Sequence, residues 1–144
     1  MEGDRSSEGY ALLGRAWQST VPAQVRTGEC FAAVLTQQAY GAAALARLRR
    51  VSERRRGAVI ADGGTYTFFV PLNSDSLPWP PCATYLHGPE VRVPPRGARA
   101  DHLSLRWASR EPIGHLITAP MVLSPLLRAL YDEGGLDDSP TEVR

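Results

Sequence analysis

The stretch Ala58-Val-Ile-Ala-Asp-Gly-Gly-Thr-Tyr-Thr-Phe-Phe-Val70 decides the fold. Thr65–Val70 is rich in aromatic and β-branched residues, the side chains that fit a pleated and half-buried surface, and reads as a strand. Ala58–Ala61 is a second, shorter strand. Between them Asp62-Gly63-Gly64 is a turn signal, because glycine adopts the positive φ of primed hairpin turns at little steric cost. The stretch is therefore an antiparallel hairpin.

Upstream, Cys30-Phe-Ala-Ala-Val-Leu-Thr36 is a continuous apolar run, short enough for a buried strand. Residues 38–51 follow with Gly41, Ala44, Leu45, Leu48 and Val51 at helical spacing, the apolar face of a helix. Downstream, residues 71–83 hold Pro71, Pro78, Pro80 and Pro81, a density that excludes helix and central strand. Trp79 sits among those prolines and packs the loop down. Thr84–His87 and Glu90–Val93 read as short strands separated by Gly88-Pro89. His102–Ala108 alternates Leu103, Leu105 and Trp107 with His102, Ser104 and Arg106, the pattern of a half-buried strand. Ser124-Pro125 reads as the start of a last helix, with Ser124 as N-cap and Pro125 in the first helical position. Gly134-Gly135 ends it.

This order predicts one α+β domain over residues 23–133, a largely antiparallel sheet with two or three packed helices. Residues 1–22 read as a flexible arm and 134–144 as a disordered acidic tail. At 144 residues and 43% hydrophobic content, the chain can bury a core without disulfides or metal. No apolar run approaches the roughly 18 residues of a membrane span, and the polar start is not that of a signal peptide. The expectation is a cytoplasmic protein that does not engage membranes.

Charge is distributed unevenly. All 16 basic residues are arginine, a planar fork suited to phosphates, carboxylates and aromatic faces. Residues 1–131 carry 15 Arg and 10 acids, whereas residues 132–144 carry one Arg and five acids. Six of the ten residues from 47 to 56 are Arg47, Arg49, Arg50, Arg54, Arg55 and Arg56, offset only by Glu53. Such a cluster either forms a solvated helix end or attracts polyanions in a salt-dependent way. A second basic group comprises Arg92, Arg96, Arg99, Arg106 and Arg110, in company with His102 and His115. A shared face for the two groups would make an anion-binding groove.

Signatures of catalysis are missing. His87, His102 and His115 lie 15 and 13 residues apart, and neither they nor the two cysteines show zinc-ligand spacing. Cys30 reads as an inert buried thiol and Cys82, after two prolines, as an exposed one. There is no nucleophile elbow, no P-loop and no dinucleotide fingerprint. No metal and no cofactor is expected.

The strand Phe31–Thr36, the hairpin Ala58–Val70, the run Tyr85-Leu-His-Gly-Pro-Glu-Val-Arg-Val-Pro-Pro95 and the helix near Leu123–Tyr131 carry a resemblance. Over about 100 residues, from Phe31 to Tyr131, the chain resembles the compact primase-polymerase-like domains of actinobacterial bifunctional DNA primase/polymerases. The resemblance implies a primase-polymerase-like fold. Active members of that superfamily hold divalent metal with paired acids on an early strand and a later acid, and bind nucleotide phosphate with a histidine after the Gly-Gly turn. Here Phe31–Thr36 has no acid, and Thr67 or Phe68 stands where the histidine would fall. Glu29, Asp62 and Asp101 do not match the pattern either. The resemblance therefore implies a degenerate relative kept for binding or regulation.

The expectation is a non-catalytic module. It would contact nucleic acid or another acidic partner through Arg47–Arg56, joined by Arg96, Arg99 and Arg106. An alternative is a regulatory subunit that binds a protein partner through Trp79 and the aromatic strand at Tyr66, Phe68 and Phe69. The last is an enzyme on a small anionic substrate, using Arg92, Arg106, His102 and His115. The sequence does not fix the oligomeric state.

Overall fold

The computed structural model describes residues 23–28, 31–50, 57–93, 105–109 and 117–133. Its strands are β1 (Ala23–Arg26), β2 (Ala32–Gln37), β3 (Val59–Asp62), β4 (Thr65–Val70), β5 (Ala83–Leu86), β6 (Glu90–Val93) and β7 (Leu105–Ser109). The helices are α1 (Gln38–Leu48) and α2 (Pro120–Asp132), with a 3₁₀ turn at Ser74–Ser76. The chain is a small α+β single domain, as its sequence predicts. The expected arm and tail, residues 1–22 and 134–144, lie outside the described residues.

Five strands form one antiparallel sheet in the order β5-β2-β4-β3-β7, and β1 pairs with β6 in a separate ribbon. The hairpin sets the register: Asp62 faces Thr65 and Val59 faces Phe68, with Gly63-Gly64 as a two-residue loop. Gly63 has φ +64°, a conformation that favours glycine. β2 then pairs along the whole of β4, from Ala32 opposite Val70 to Gln37 opposite Thr65. Since β2 and β3 both run antiparallel to β4, they are parallel to each other, and α1 crosses over β4 to connect them.

Both faces of the sheet are covered. Val34, Ala61, Tyr66, Phe68 and Val70 share one apolar cluster with Leu45 and Leu48 of α1 and Leu123 and Leu127 of α2. On the opposite face, Ala33, Ile60 and Phe69 cluster with Val25 of β1 and Val91 and Val93 of β6. The period-two alternation of β4 thus feeds two cores. Phe31 and Phe69 meet edge-to-face in the second, with ring centroids 5.1 Å apart. The ribbon is tied on by Thr27, which accepts from the Gly88 amide at 2.9 Å and donates to the Pro89 carbonyl at 2.6 Å.

α1 has no side-chain cap; instead the Gln38 amide donates to the Gly64 carbonyl of the hairpin turn at 2.8 Å. Its buried face is Tyr40, Gly41, Ala44, Leu45 and Leu48. The helix expected to reach residue 51 stops at Leu48, where the chain tightens and the Arg50 amide bonds the Arg47 carbonyl. Val51 lies outside the described residues.

The start of the last helix is a correction. α2 begins at Pro120, with Ala119 as N-cap, and not at Ser124-Pro125. The extra turn places Leu123 wholly in the core, and that burial outweighs the local Ser-Pro signal. Pro125 lies inside the helix and removes the amide that would bond the Met121 carbonyl. Met121 itself is 71% exposed. Ser124 is buried and donates to the Pro78 carbonyl at 3.3 Å, fastening α2 to the proline loop. β1, which the sequence reading leaves unassigned, is a second difference.

Gly41 lets α1 pack closely on the sheet at Tyr66. A Cβ there would overlap the Cβ of Tyr66 and lie 2.6 Å from its Cγ. Those atoms belong to the rigid base of a buried side chain on a central strand and cannot swing aside. Gly41→Ala is expected to lower stability by about 1–3 kcal/mol, overcoming the roughly 1 kcal/mol that alanine gains in helix propensity. Urea unfolding followed by circular dichroism checks this; an unchanged or raised midpoint contradicts the close approach.

Candidate functional site

The basic cluster is built on the C-terminal turn of α1. Arg47, Arg49 and Arg50 are all exposed. The Arg49 amide still bonds the Leu45 carbonyl at 3.1 Å, so the three guanidinium groups project from one compact turn. Position favours them there, because the carbonyl end of a helix attracts cations. Arg47 Nη2 donates to Glu133 Oε1 at 3.1 Å, just beyond the end of α2. Arg54, Arg55 and Arg56, the rest of the expected run, lie outside the described residues.

Of the second basic group, Arg92 does not join the first. Arg92 is on β6, in the ribbon on the sheet face opposite α1, and its Nη1 is 4.0 Å from Asp62 Oδ1. Arg106 lies on β7 with its Cα opposite that of Ala61; its side chain is outside the described part. So are Arg96, Arg99, Arg110, His102 and His115. The shared groove therefore does not form from Arg92 and the α1 arginines, which belong to different layers.

Trp79 is half-buried. Its indole Nε1 donates to the Ser74 carbonyl at 2.8 Å, and its ring stacks on Tyr85 with centroids 6.4 Å apart. It pins the proline loop against the sheet, as the sequence predicts, and leaves part of the indole exposed. The aromatic strand is a correction: Phe68 and Phe69 are fully buried and Tyr66 nearly so. These three rings are the core and offer a partner nothing.

One cleft was invisible in the sequence. About 350 Å³ in volume, it opens at the N-terminal end of α1, between Thr36, Tyr40, Thr65, Cys82, Thr84 and Tyr131. Its walls come from β2, α1, β4, β5 and α2, far apart along the chain. Thr36 donates to the Cys82 carbonyl at 2.9 Å, closing the floor. Cys82 is half-buried, a correction to its expected exposure. Burial pushes its thiol pKa up, opposed in part by a backbone hydrogen bond and by the charge of Arg128. Cys30 lies outside the described residues.

Among the described residues, no three His, Cys, Asp or Glu side chains converge as metal ligands. Nor is any described helix long and apolar enough to cross a membrane. No protein-family model, curated protein or solved structure matches the chain.

Two expected outcomes follow from these environments. The Cys82 thiol, kept protonated by burial, alkylates more slowly at pH 8 than the same residue in an unfolded peptide, because only the thiolate is nucleophilic. Arg128→Gln slows it further. Peptide-resolved mass spectrometry after a timed iodoacetamide pulse measures both, and a rate equal to the peptide's contradicts the assignment. The Tyr85 hydroxyl is buried beside the backbone of Ser74 and Asp75 but finds no partner at hydrogen-bond geometry. Tyr85→Phe removes an unsatisfied group, so thermal stability should hold or rise, by up to about 1 kcal/mol. A clear loss would mean that the hydroxyl is bonded.

Proposed function

We propose that this chain is a non-catalytic binding module that engages nucleic acid through the basic end of α1. The observation that carries the reading is the exposure of Arg47, Arg49 and Arg50 on a single turn. Guanidinium groups so placed contact successive phosphates, and neutralising each phosphate releases counterions. The end of the helix holds them near one another in the chain.

Side-chain chemistry supports the non-catalytic half. In the resemblance to primase-polymerase-like domains, β2 is the strand that would carry metal-binding acids, and its residues are Ala-Ala-Val-Leu-Thr-Gln. Thr67 and Phe68, where the phosphate-binding histidine would stand, are both buried. On this reading the domain keeps a nucleic-acid role without polymer synthesis. The covered sheet faces direct contact to the helix end and away from a β-sheet platform.

Fluorescence anisotropy with labelled single- and double-stranded DNA and RNA across a salt series tests the reading. Binding is expected to weaken steeply with salt. Arg49→Ala/Arg50→Ala should weaken it about tenfold or more at low salt and lower the slope of log K against log salt by roughly 1.5–2. Absence of binding at low salt, or an unchanged slope in the variant, would overturn the proposal.

A further inference from the structure

We propose that the acidic end of α2 is a built-in competitor for the basic end of α1, with Glu133 occupying the guanidinium edge that a phosphate would take on Arg47. The inference rests on the nucleic-acid reading above and names a regulation of that same surface.

The placement of the acids calls for a tertiary explanation. α2 has no basic residue in its last turn and closes on Asp132 and Glu133. Acids at the carbonyl end of a helix oppose its dipole and are locally unfavourable. Arg47 supplies the missing positive charge from a position 86 residues away, with Nη2 at 3.1 Å from Glu133 Oε1. Asp132 is engaged more loosely, 4.0 Å from Arg128 on its own helix.

The contact is suited to exchange. The Arg47 and Glu133 side chains are 42% and 54% exposed, so water screens the pair and stands ready to replace either member. A carboxylate and a phosphate oxygen present the same acceptor to a guanidinium. An arriving phosphate therefore displaces Glu133 from Arg47, while Arg49 and Arg50, exposed beside it, give the initial attraction. Such a weak pair tunes affinity and does not switch it off.

The test measures anisotropy of labelled single-stranded DNA with the full chain and with Glu133→Gln, Arg47→Ala, the two combined, and Arg49→Ala/Arg50→Ala. Glu133→Gln is expected to bind about two- to fivefold tighter at low salt, with the gain fading as salt rises. In the Arg47→Ala background the gain should vanish. If Arg49→Ala/Arg50→Ala weakens binding but Glu133→Gln changes nothing, the competitor is overturned and the basic surface stands. A gain that persists without Arg47 also overturns it, since the effect is then one of net charge. If no variant binds at all, the nucleic-acid reading itself falls.

Discussion

Strand β4 is the constraint on which the other elements depend. It pairs along its whole length with β2 on one side, and from Thr65 to Phe68 with β3 on the other. Its side chains enter both cores: Tyr66, Phe68 and Val70 beneath the helices, Phe69 beneath the ribbon. A one-residue slip would exchange those two sets and place bulky rings where the other layer packs. The two-residue turn at Gly63-Gly64 prevents that slip by fixing Asp62 opposite Thr65. The same turn also offers the Gly64 carbonyl to the first amide of α1. Register, helix start and the division of the apolar residues between two cores therefore share one origin.

That origin was legible because it is local. Thr65–Val70 matches the observed strand residue for residue, and Glu90–Val93 does likewise. Both are short runs with strong composition, bounded by glycine or proline. Local signals mislead where a distant contact outweighs them. Ser124-Pro125 has the local chemistry of a helix start, but burial of Leu123 under the sheet extends α2 by a turn. Ala23-Gln-Val-Arg26 has no strong strand signal of its own; it becomes a strand because β6 pairs with it and Thr27 clamps the following turn. β5 and β6, three residues apart, enter different sheets.

The candidate site divides in the same way. The arginine run is visible as composition, and its described members, Arg47, Arg49 and Arg50, are exposed as a solvated helix end must be. What sequence could not show was which groups lie near it. Arg92 reads as a companion but belongs to the opposite layer, and Glu133, 86 residues from Arg47, sits against it. The cleft at the other end of α1 needs five elements for its walls, and no spacing along the chain encodes it.

Closing both sheet faces has a consequence for where this molecule can be functional. A sheet with one open face presents a broad, flat platform; here α1 and α2 cover one face and the β1–β6 ribbon much of the other. On the proposed reading the contact surface lies at the end of a helix, where side chains are free of packing. α1 illustrates this: Tyr40, Gly41, Ala44, Leu45 and Leu48 are committed to the core, while Arg47 in the last turn and Arg49 and Arg50 just after it are exposed. Those arginines also complement the helix dipole, by about 0.3–1 kcal/mol each at most exposed positions. They stabilise the fold and advertise its charge with the same groups. For that reason salt dependence separates the proposed phosphate contact from this stabilising effect better than affinity alone: dipole stabilisation leaves the number of released counterions unchanged, whereas loss of a phosphate contact reduces it.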